Sequence, residues 1–118
     1  MNFQPGETNI ACTNLERSLT FYRDVIGMEV VEMEGGAIRL HLGNRYFLLL
    51  PFAKAPCNHA YPDHASMTFD LIVDDIQAAL AHFQRQQVTI VGEVNAESGL
   101  FFVADPDGLV LEIVQNHR

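Results

Sequence analysis

The stretch of sequence that best indicates the fold lies near the C-terminal end and reads Asp105-Pro106-Asp107-Gly108-Leu109-Val110-Leu111-Glu112-Ile113-Val114. Pro106 fixes φ and Gly108 accepts the positive φ of a chain reversal, so the stretch begins as a tight turn. The residues that follow are mostly Val, Leu and Ile, which favours a strand. Because side chains alternate along a strand, Glu112 shares its face with Val110 and Val114. That carboxylate either meets solvent or enters a pocket that supplies a cation, a donor or a metal.

The first half of the chain predicts one series of secondary-structure elements. A short strand at 8–12 precedes a helix, for which Thr13 and Glu16 form a capping box and Gly27 is the stop. Phe21 lies off the apolar stripe of this helix, which predicts either exposure or a contact with a partner. Glycine-containing turns then separate three strands, joined as hairpins, at 29–34, 37–42 and 45–50.

The second half repeats the series after a proline-containing linker at 51–65. Asp74 and Gln77 are predicted to cap its helix, and Phe101 and Phe102, as neighbours on one strand, must face opposite ways. His59 or Tyr61 would approach the functional site if the linker folds over it. The predicted strands of this half lie at 66–73, 88–94, 100–104 and 109–114.

The two halves match closely enough to predict an α+β domain of two βαβββ repeats. Leu15 and Ile76 occupy equivalent places 61 residues apart, as the sequence numbering shows. A four-stranded sheet with one helix leaves its other face open, and two curved mixed sheets placed side by side can enclose a cleft. The prediction is therefore one domain, 1–118, with repeats at about 7–50 and 66–115.

Composition narrows the classes of function. The 118 residues carry a formal net charge of −8, which argues against nucleic acid as a partner. No apolar run reaches membrane-spanning length, and residues 1–6 lack the features of a signal peptide. Cys12 and Cys57 are too few for a disulfide framework, so the expected location is the cytoplasm.

Three segments carry a resemblance to a known superfamily: 14–28, Val73-Asp74-Asp75-Ile76 and 105–112. Together they resemble the vicinal oxygen chelate superfamily, which contains glyoxalase I, bleomycin-resistance proteins, fosfomycin-resistance enzymes and extradiol dioxygenases. The resemblance covers roughly residues 6–115. It implies the paired-repeat fold, but it does not specify an activity, because this scaffold hosts many chemistries.

The resemblance also implies where a metal would bind. In metal-using members the ligands come from the first and last strand of each repeat, which here correspond to Glu7, Leu48, Thr68 and Glu112. Leu48 has no donor atom, Thr68 is a poor ligand, and none of the four is histidine, so a 2-His-1-carboxylate iron site is excluded at these positions. Glu7 and Glu112 remain the only candidate metal ligands.

Without a metal, the predicted cleft is acidic. Its predicted ligand-binding residues are Glu7, Asn9, Tyr46, Leu48, Thr68, Asp70 and Glu112. Crowded carboxylates raise one another's pKa, and a cationic ligand would relieve that cost. A proton shared between carboxyl groups, or an arginine of the chain itself such as Arg39 or Arg45, would have the same effect.

Three functions follow from this pattern. The first is a homodimeric protein of the bleomycin-resistance type, which binds a small, cationic or amphipathic organic ligand without a cofactor and without turnover. The second is a metal-dependent glyoxalase-like lyase or dioxygenase-type enzyme with an altered ligand set, in which Glu7 or Glu112 acts as general base. The third is an accessory domain with no small ligand. Superfamily members pair their repeats both within a chain and across a dimer, so both arrangements stay open.

Overall fold

The computed structural model describes residues 1–58 and 61–116, with backbone alone at positions 95 and 96. Its first compact unit, Met1–Pro56, contains one mixed sheet in the order β1-β4-β3-β2, with β1 parallel to β4 and the other pairs antiparallel. The elements of this unit are β1 Thr8–Ala11, helix α1 Leu15–Leu19, a π-helical segment Thr20–Ile26, β2 Glu29–Glu34, β3 Ala37–Leu42 and β4 Arg45–Leu50.

The second compact unit, Cys57–Arg118, repeats this topology. Its sheet has the order β5-β8-β7-β6, again with the first and last strands of the repeat parallel. The elements are β5 Asp70–Val73, helix α2 Ile76–Arg85, β6 Thr89–Asn95, a short 3₁₀ turn Ala96–Ser98, β7 Leu100–Ala104 and β8 Val110–Gln115.

The predicted α+β class and the two βαβββ repeats are confirmed. The first strand of the second repeat is shorter than predicted, because it begins at Asp70 and not at residue 66. Just before it, the Thr68 hydroxyl donates to the backbone carbonyl of Val110, and the Glu112 N–H donates to the Phe69 carbonyl. A side chain thus replaces part of the strand ladder at this point.

Both predicted helix caps are wrong by one residue. The Asn14 side chain, and not that of Thr13, accepts from the Arg17 N–H, while the Thr13 hydroxyl accepts from the Arg17 guanidinium. At α2 the cap is Asp75 and not Asp74. In each case two adjacent residues have side chains suited to capping, and the backbone of the second one is extended, as an N-cap requires.

Phe21 is buried, which overturns the prediction that it is exposed or contacts a partner. Its side chain is only 6% exposed, and its ring lies edge-on to that of Tyr22 at 4.9 Å. The cause is the π-helical segment, whose wider i→i+5 turn directs both rings to the interior. Gly27 ends this segment with φ of 95°, as predicted.

The core of each unit lies on one face of its sheet. In the second unit the ring of Phe83, on α2, contacts the ring of Phe101, on β7, at 5.9 Å. This contact identifies the helix-covered face and leaves the opposite face of the same strands as the open face. The buried apolar residues on the core faces of the two sheets are Ile10, Ile38, Leu40, Phe47, Leu49, Phe101, Val103, Leu111 and Ile113, whereas Val110 is buried on the opposite face of β8.

Cys12 is buried and Cys57 is exposed. None of the helices in the described part of the chain has the length and apolar character to cross a membrane.

Candidate functional site

A row of aligned residues crosses the open face of the second sheet. Asp70 on β5 pairs in register with Glu112 on β8. On the other side of β8, Glu112 pairs with Phe102 on β7, and Phe102 in turn pairs with Val91 on β6. Residues directly opposite one another in a ladder share a face, so all four side chains lie on one side of the sheet. That side is opposite to Phe101 and hence to the helix.

Asp70 and Glu112 form a carboxyl pair at one end of this row. Partial burial raises the pKa of Glu112, and the negative charge of Asp70 and a hydrogen bond with its carboxyl group add to the increase. Within the described residues, no ion pair reaches either carboxyl group. Glu112 therefore resists ionisation, and no cationic side chain among the described residues offsets the charge of the pair.

Aromatic rings continue the row beyond the carboxyl pair. Phe102 is half-buried beside Glu112, and the ring of Tyr61 lies 5.8 Å from it at an interplanar angle of 48°. The linker is held to the same unit at Cys57, whose N–H donates to the Asp107 carbonyl at 2.8 Å. The linker thus brings Tyr61 to the open face, while His59 lies outside the described residues.

The open face of the first sheet carries charges of both signs. Arg39 on β3 bonds Glu7 through one terminal nitrogen at 2.8 Å and Glu32 through the other at 2.7 Å. Hydrogen bonding to Glu7 and attraction to its charge raise the pKa of Arg39, and Glu32 adds a smaller effect. Glu7 is therefore neutralised inside its own unit, as the alternative of an internal arginine predicted.

The other predicted residues of the first unit share this open face. Asn9 pairs in register with Leu48, and Leu48 pairs with Arg39. Tyr46 is exposed, and its ring lies 5.1 Å from the ring of His41. In each unit, the structure brings the predicted site residues together on the face away from the helix. That the two open faces line one cleft stays a prediction.

Comparison with known proteins identifies the family. Residues 4–113 match the model of the Glyoxalase/Bleomycin resistance protein/Dioxygenase superfamily. The chain belongs to this superfamily. No curated protein matches the sequence significantly.

Solved structures of this superfamily's fold resemble the chain over nearly its whole length. Glyoxalase I of Leishmania major, described as trypanothione-dependent, has a TM-score of 0.76 at 23% identity, covering 92% of this chain and 84% of its own. A glyoxalase family protein from Enterococcus faecalis scores 0.75 at 22% identity, with 95% and 97% covered. The fosfomycin resistance protein FosX from Listeria monocytogenes scores 0.80 at 9% identity, with 98% and 95% covered. At these identities the likeness establishes the fold alone.

The glyoxalase/dioxygenase superfamily includes metal-dependent members, but the corresponding residues here do not fit a metal. The Glu7 carboxylate is bonded to Arg39, Leu48 has no donor atom, and the Thr68 hydroxyl is used on the Val110 carbonyl. Glu112 shares a hydrogen bond with Asp70. Across residues 1–58 and 61–116, no group of three or more His, Cys, Asp or Glu side chains is placed to hold a metal ion.

Two features of the site were not predicted from the sequence. The Asp70–Glu112 hydrogen bond follows from the parallel ladder register, which aligns these two residues 42 positions apart. The packing of Tyr61 on Phe102 follows from the path of the linker. The available signal was the parallel pairing of the first and last strands of a repeat. Applied to residues 70–73 and 110–115, that pairing sets the two carboxyl groups side by side.

We expect Glu112→Gln to stabilise the protein at neutral pH. The pKa of Glu112 is raised in the folded protein. The protonated carboxyl group therefore stabilises the fold fully below the ordinary carboxyl pKa, and this stabilisation is lost as the pH rises through the raised pKa. The amide group of glutamine can still donate a hydrogen bond to the Asp70 carboxylate, but it adds no second negative charge. The expected gain is roughly 0.2–1 kcal/mol in the free energy of unfolding at pH 7, and close to zero below the ordinary carboxyl pKa.

Urea unfolding at several pH values measures this difference. Glu93→Gln, at an exposed position on β6 of the same unit, is the matched control and should leave the pH dependence unchanged. A loss of stability in Glu112→Gln at pH 7 would contradict the expectation, because it would mean that the ionised carboxylate is favourably paired.

Proposed function

We propose that this protein binds a small organic cation, without turnover, on the open face of the second repeat, and that it acts as a homodimer. Asp70 and Glu112 would bind the positive charge, and Phe102 and Tyr61 would contact the apolar part of the ligand. The observation that carries the proposal is the carboxyl pair, which lacks a counter-cation among the described residues and in which the pKa of Glu112 is raised.

The electrostatics of the pair favour a cation over a neutral or anionic ligand. Partial burial and the neighbouring charge of Asp70 make Glu112 resist ionisation, and a bound cation offsets both the repulsion and the desolvation. An anion would add a third negative charge. The net charge of −8 also raises the local concentration of cations around the protein.

The neighbouring rings add selectivity for an organic cation. An ammonium group over an aromatic face gains roughly 0.5–2 kcal/mol, depending on how far it is desolvated. Phe102 lies directly beside Glu112 in the ladder, and Tyr61 packs on Phe102. A ligand with a quaternary ammonium group would therefore contact a carboxylate and an aromatic ring together.

Titration calorimetry with choline tests the proposal. Choline carries a fixed positive charge, and 3,3-dimethylbutan-1-ol has the same shape without it. We expect choline to bind at least tenfold more tightly than the neutral alcohol, a difference of about 1.4 kcal/mol. Glu112→Gln should weaken choline binding roughly tenfold, whereas Glu93→Gln should not change it.

The pH dependence of the same titration provides an internal check. Because the charge of choline does not titrate, any change with pH comes from the protein. We expect the affinity to rise as pH increases through the raised pKa of Glu112, and to stay flat in Glu112→Gln. Equal binding of choline and the neutral alcohol would refute the proposal.

The absence of turnover is proposed from the residues at the four metal positions, which are bonded elsewhere or lack a donor. We expect Mn²⁺, Ni²⁺, Zn²⁺ or Fe²⁺ to leave the thermal unfolding midpoint unchanged within about 1 °C. A specific site saturated to 100 times its dissociation constant would add roughly 2.7 kcal/mol and give a clear increase. Such an increase, lost in Glu112→Gln, would favour the metal-dependent lyase or dioxygenase-type enzyme instead.

A further inference from the structure

In the first repeat, the positively charged side chain of Arg39 occupies a site formed by acidic side chains. Its guanidinium lies between Glu7 and Glu32, at 2.8 and 2.7 Å from their carboxylate oxygens. These bonds join three strands, because Glu7 immediately precedes β1, Arg39 is on β3 and Glu32 is on β2. The open face of the first sheet therefore forms a guanidinium site that the chain fills itself.

The register of the two sheets shows how the repeats differ at this place. In the first repeat, Leu48 on the last strand pairs with Arg39. In the second repeat, Glu112 on the last strand pairs with Phe102. Arg39 thus occupies the ladder position that Phe102 occupies in the second repeat. A cationic side chain replaces an aromatic one, and the carboxylates are arranged around it.

Arg39 is not free to bind an anion. Both terminal nitrogens are bonded to carboxylates, and the Nε atom is buried and makes no hydrogen bond within the described residues. Beside the guanidinium lies a hollow of about 170 Å³, lined by Glu32, Glu34, Ala37, Arg39 and Leu48. This lining is acidic and apolar apart from Arg39 itself, so a vacated site would accept a cation.

We propose that Arg39 is a specificity-determining residue, which restricts organic-cation binding to the second repeat by occupying the acidic site of the first. The inference rests on the proposed function for its account of the native ligand. The guanidinium site itself stands on the contacts of the first unit alone. One chain should therefore bind one organic cation, and removal of the Arg39 side chain should make a second site available.

Chemical complementation of an arginine-deleted variant tests this proposal. All variants carry Glu112→Gln, so that any residual binding at the second repeat is weak and the same in each, and differences between variants report on the first repeat alone. In that background, Arg39→Ala should bind one equivalent of ethylguanidinium chloride at least tenfold more tightly than the parent, with a rise in the thermal midpoint. Adding Glu7→Gln should abolish the gain.

Arg45→Ala in the same background is the matched control, because Arg45 is an exposed arginine on the neighbouring strand β4. It should show no gain. If the alanine variant does not fold, Arg39→Met takes its place, because methionine retains an apolar stem. The smaller cation methylguanidinium is then the probe. No gain in either folded Arg39 variant, or an equal gain in Arg45→Ala, would overturn the proposal. The choline titration of the wild-type chain separately decides the function of the second repeat.

Discussion

Phe101→Ala is expected to lower the free energy of unfolding by about 3–5 kcal/mol, the usual cost of deleting a buried aromatic ring. Phe101 is 1% exposed and lies on the face of β7 that α2 covers, with its ring edge-on to Phe83 at 5.9 Å and 79°. Its loss removes both the buried area and the favourable geometry of the ring pair. The urea midpoint should fall while the slope of the transition is unchanged.

Phe102→Ala is the matched control for this prediction. The two phenylalanines are neighbours on one strand and face opposite ways, and Phe102 is only half-buried against Tyr61. Its truncation should cost roughly 1 kcal/mol while weakening choline binding. Equal destabilisation by the two variants would mean that the open face is as well packed as the core. If Phe101→Ala is too unstable to measure, the free energy of unfolding of Phe101→Leu can be compared with that of the wild type instead.

The hairpins could be predicted from the sequence because their signals are local. The predicted strands 29–34, 37–42 and 45–50 agree with the structure at both ends. Gly35, Gly36 and Gly43 all adopt positive φ, as turns between tightly connected strands require. Because few residues other than glycine adopt positive φ, a glycine at such a position marks the end of a strand in the sequence.

The helix ends and the packing of α1 were less predictable, because they depend on competition between neighbours. The side chains of Asn14 and Thr13 can both cap, and the backbone of Asn14 has the extended conformation that an N-cap requires. The π-helical turn that buries Phe21 has no clear sequence signal here, and a 3.6-residue period places that ring on the wrong side of the helix. Periodicity identified this helix but not its whole buried face.

The site required pairings over long separations in sequence. Glu7 and Arg39 meet through β4, which lies between β1 and β3 in the sheet, and Asp70 meets Glu112 through the parallel pairing of β5 and β8. The sequence supplied the candidate residues, and even the possibility that an arginine neutralises a carboxylate. Strand order and register determined which carboxylate is neutralised, and left Asp70 and Glu112 as a pair that no cation among residues 1–58 and 61–116 neutralises.

Asp105→Ala is expected to cost roughly 2–4 kcal/mol, because it removes the acceptor on which the last turn is built. Asp105 is 5% exposed, and its Oδ1 accepts from the backbone N–H groups of Asp107 and Leu109, each at 2.9 Å. Bonds to a charged acceptor are worth roughly 1.5–3 kcal/mol, and buried donors left without a partner are costly. The turn immediately precedes β8, so its loss would also disturb the strand that carries Glu112.

Asp105→Asn separates the hydrogen bonds from the charge. The asparagine oxygen can accept both N–H groups, so the variant should lose less than half as much stability as Asp105→Ala in urea unfolding. Gly108 in the same turn has φ of 87°, and its backbone N–H donates to the Asp105 carbonyl at 3.0 Å, so part of the turn persists in both variants. Equal losses from the two substitutions would show that the charge, and not the pair of accepted bonds, holds the turn. In that case choline binding should weaken in Asp105→Asn as well, because β8 positions Glu112.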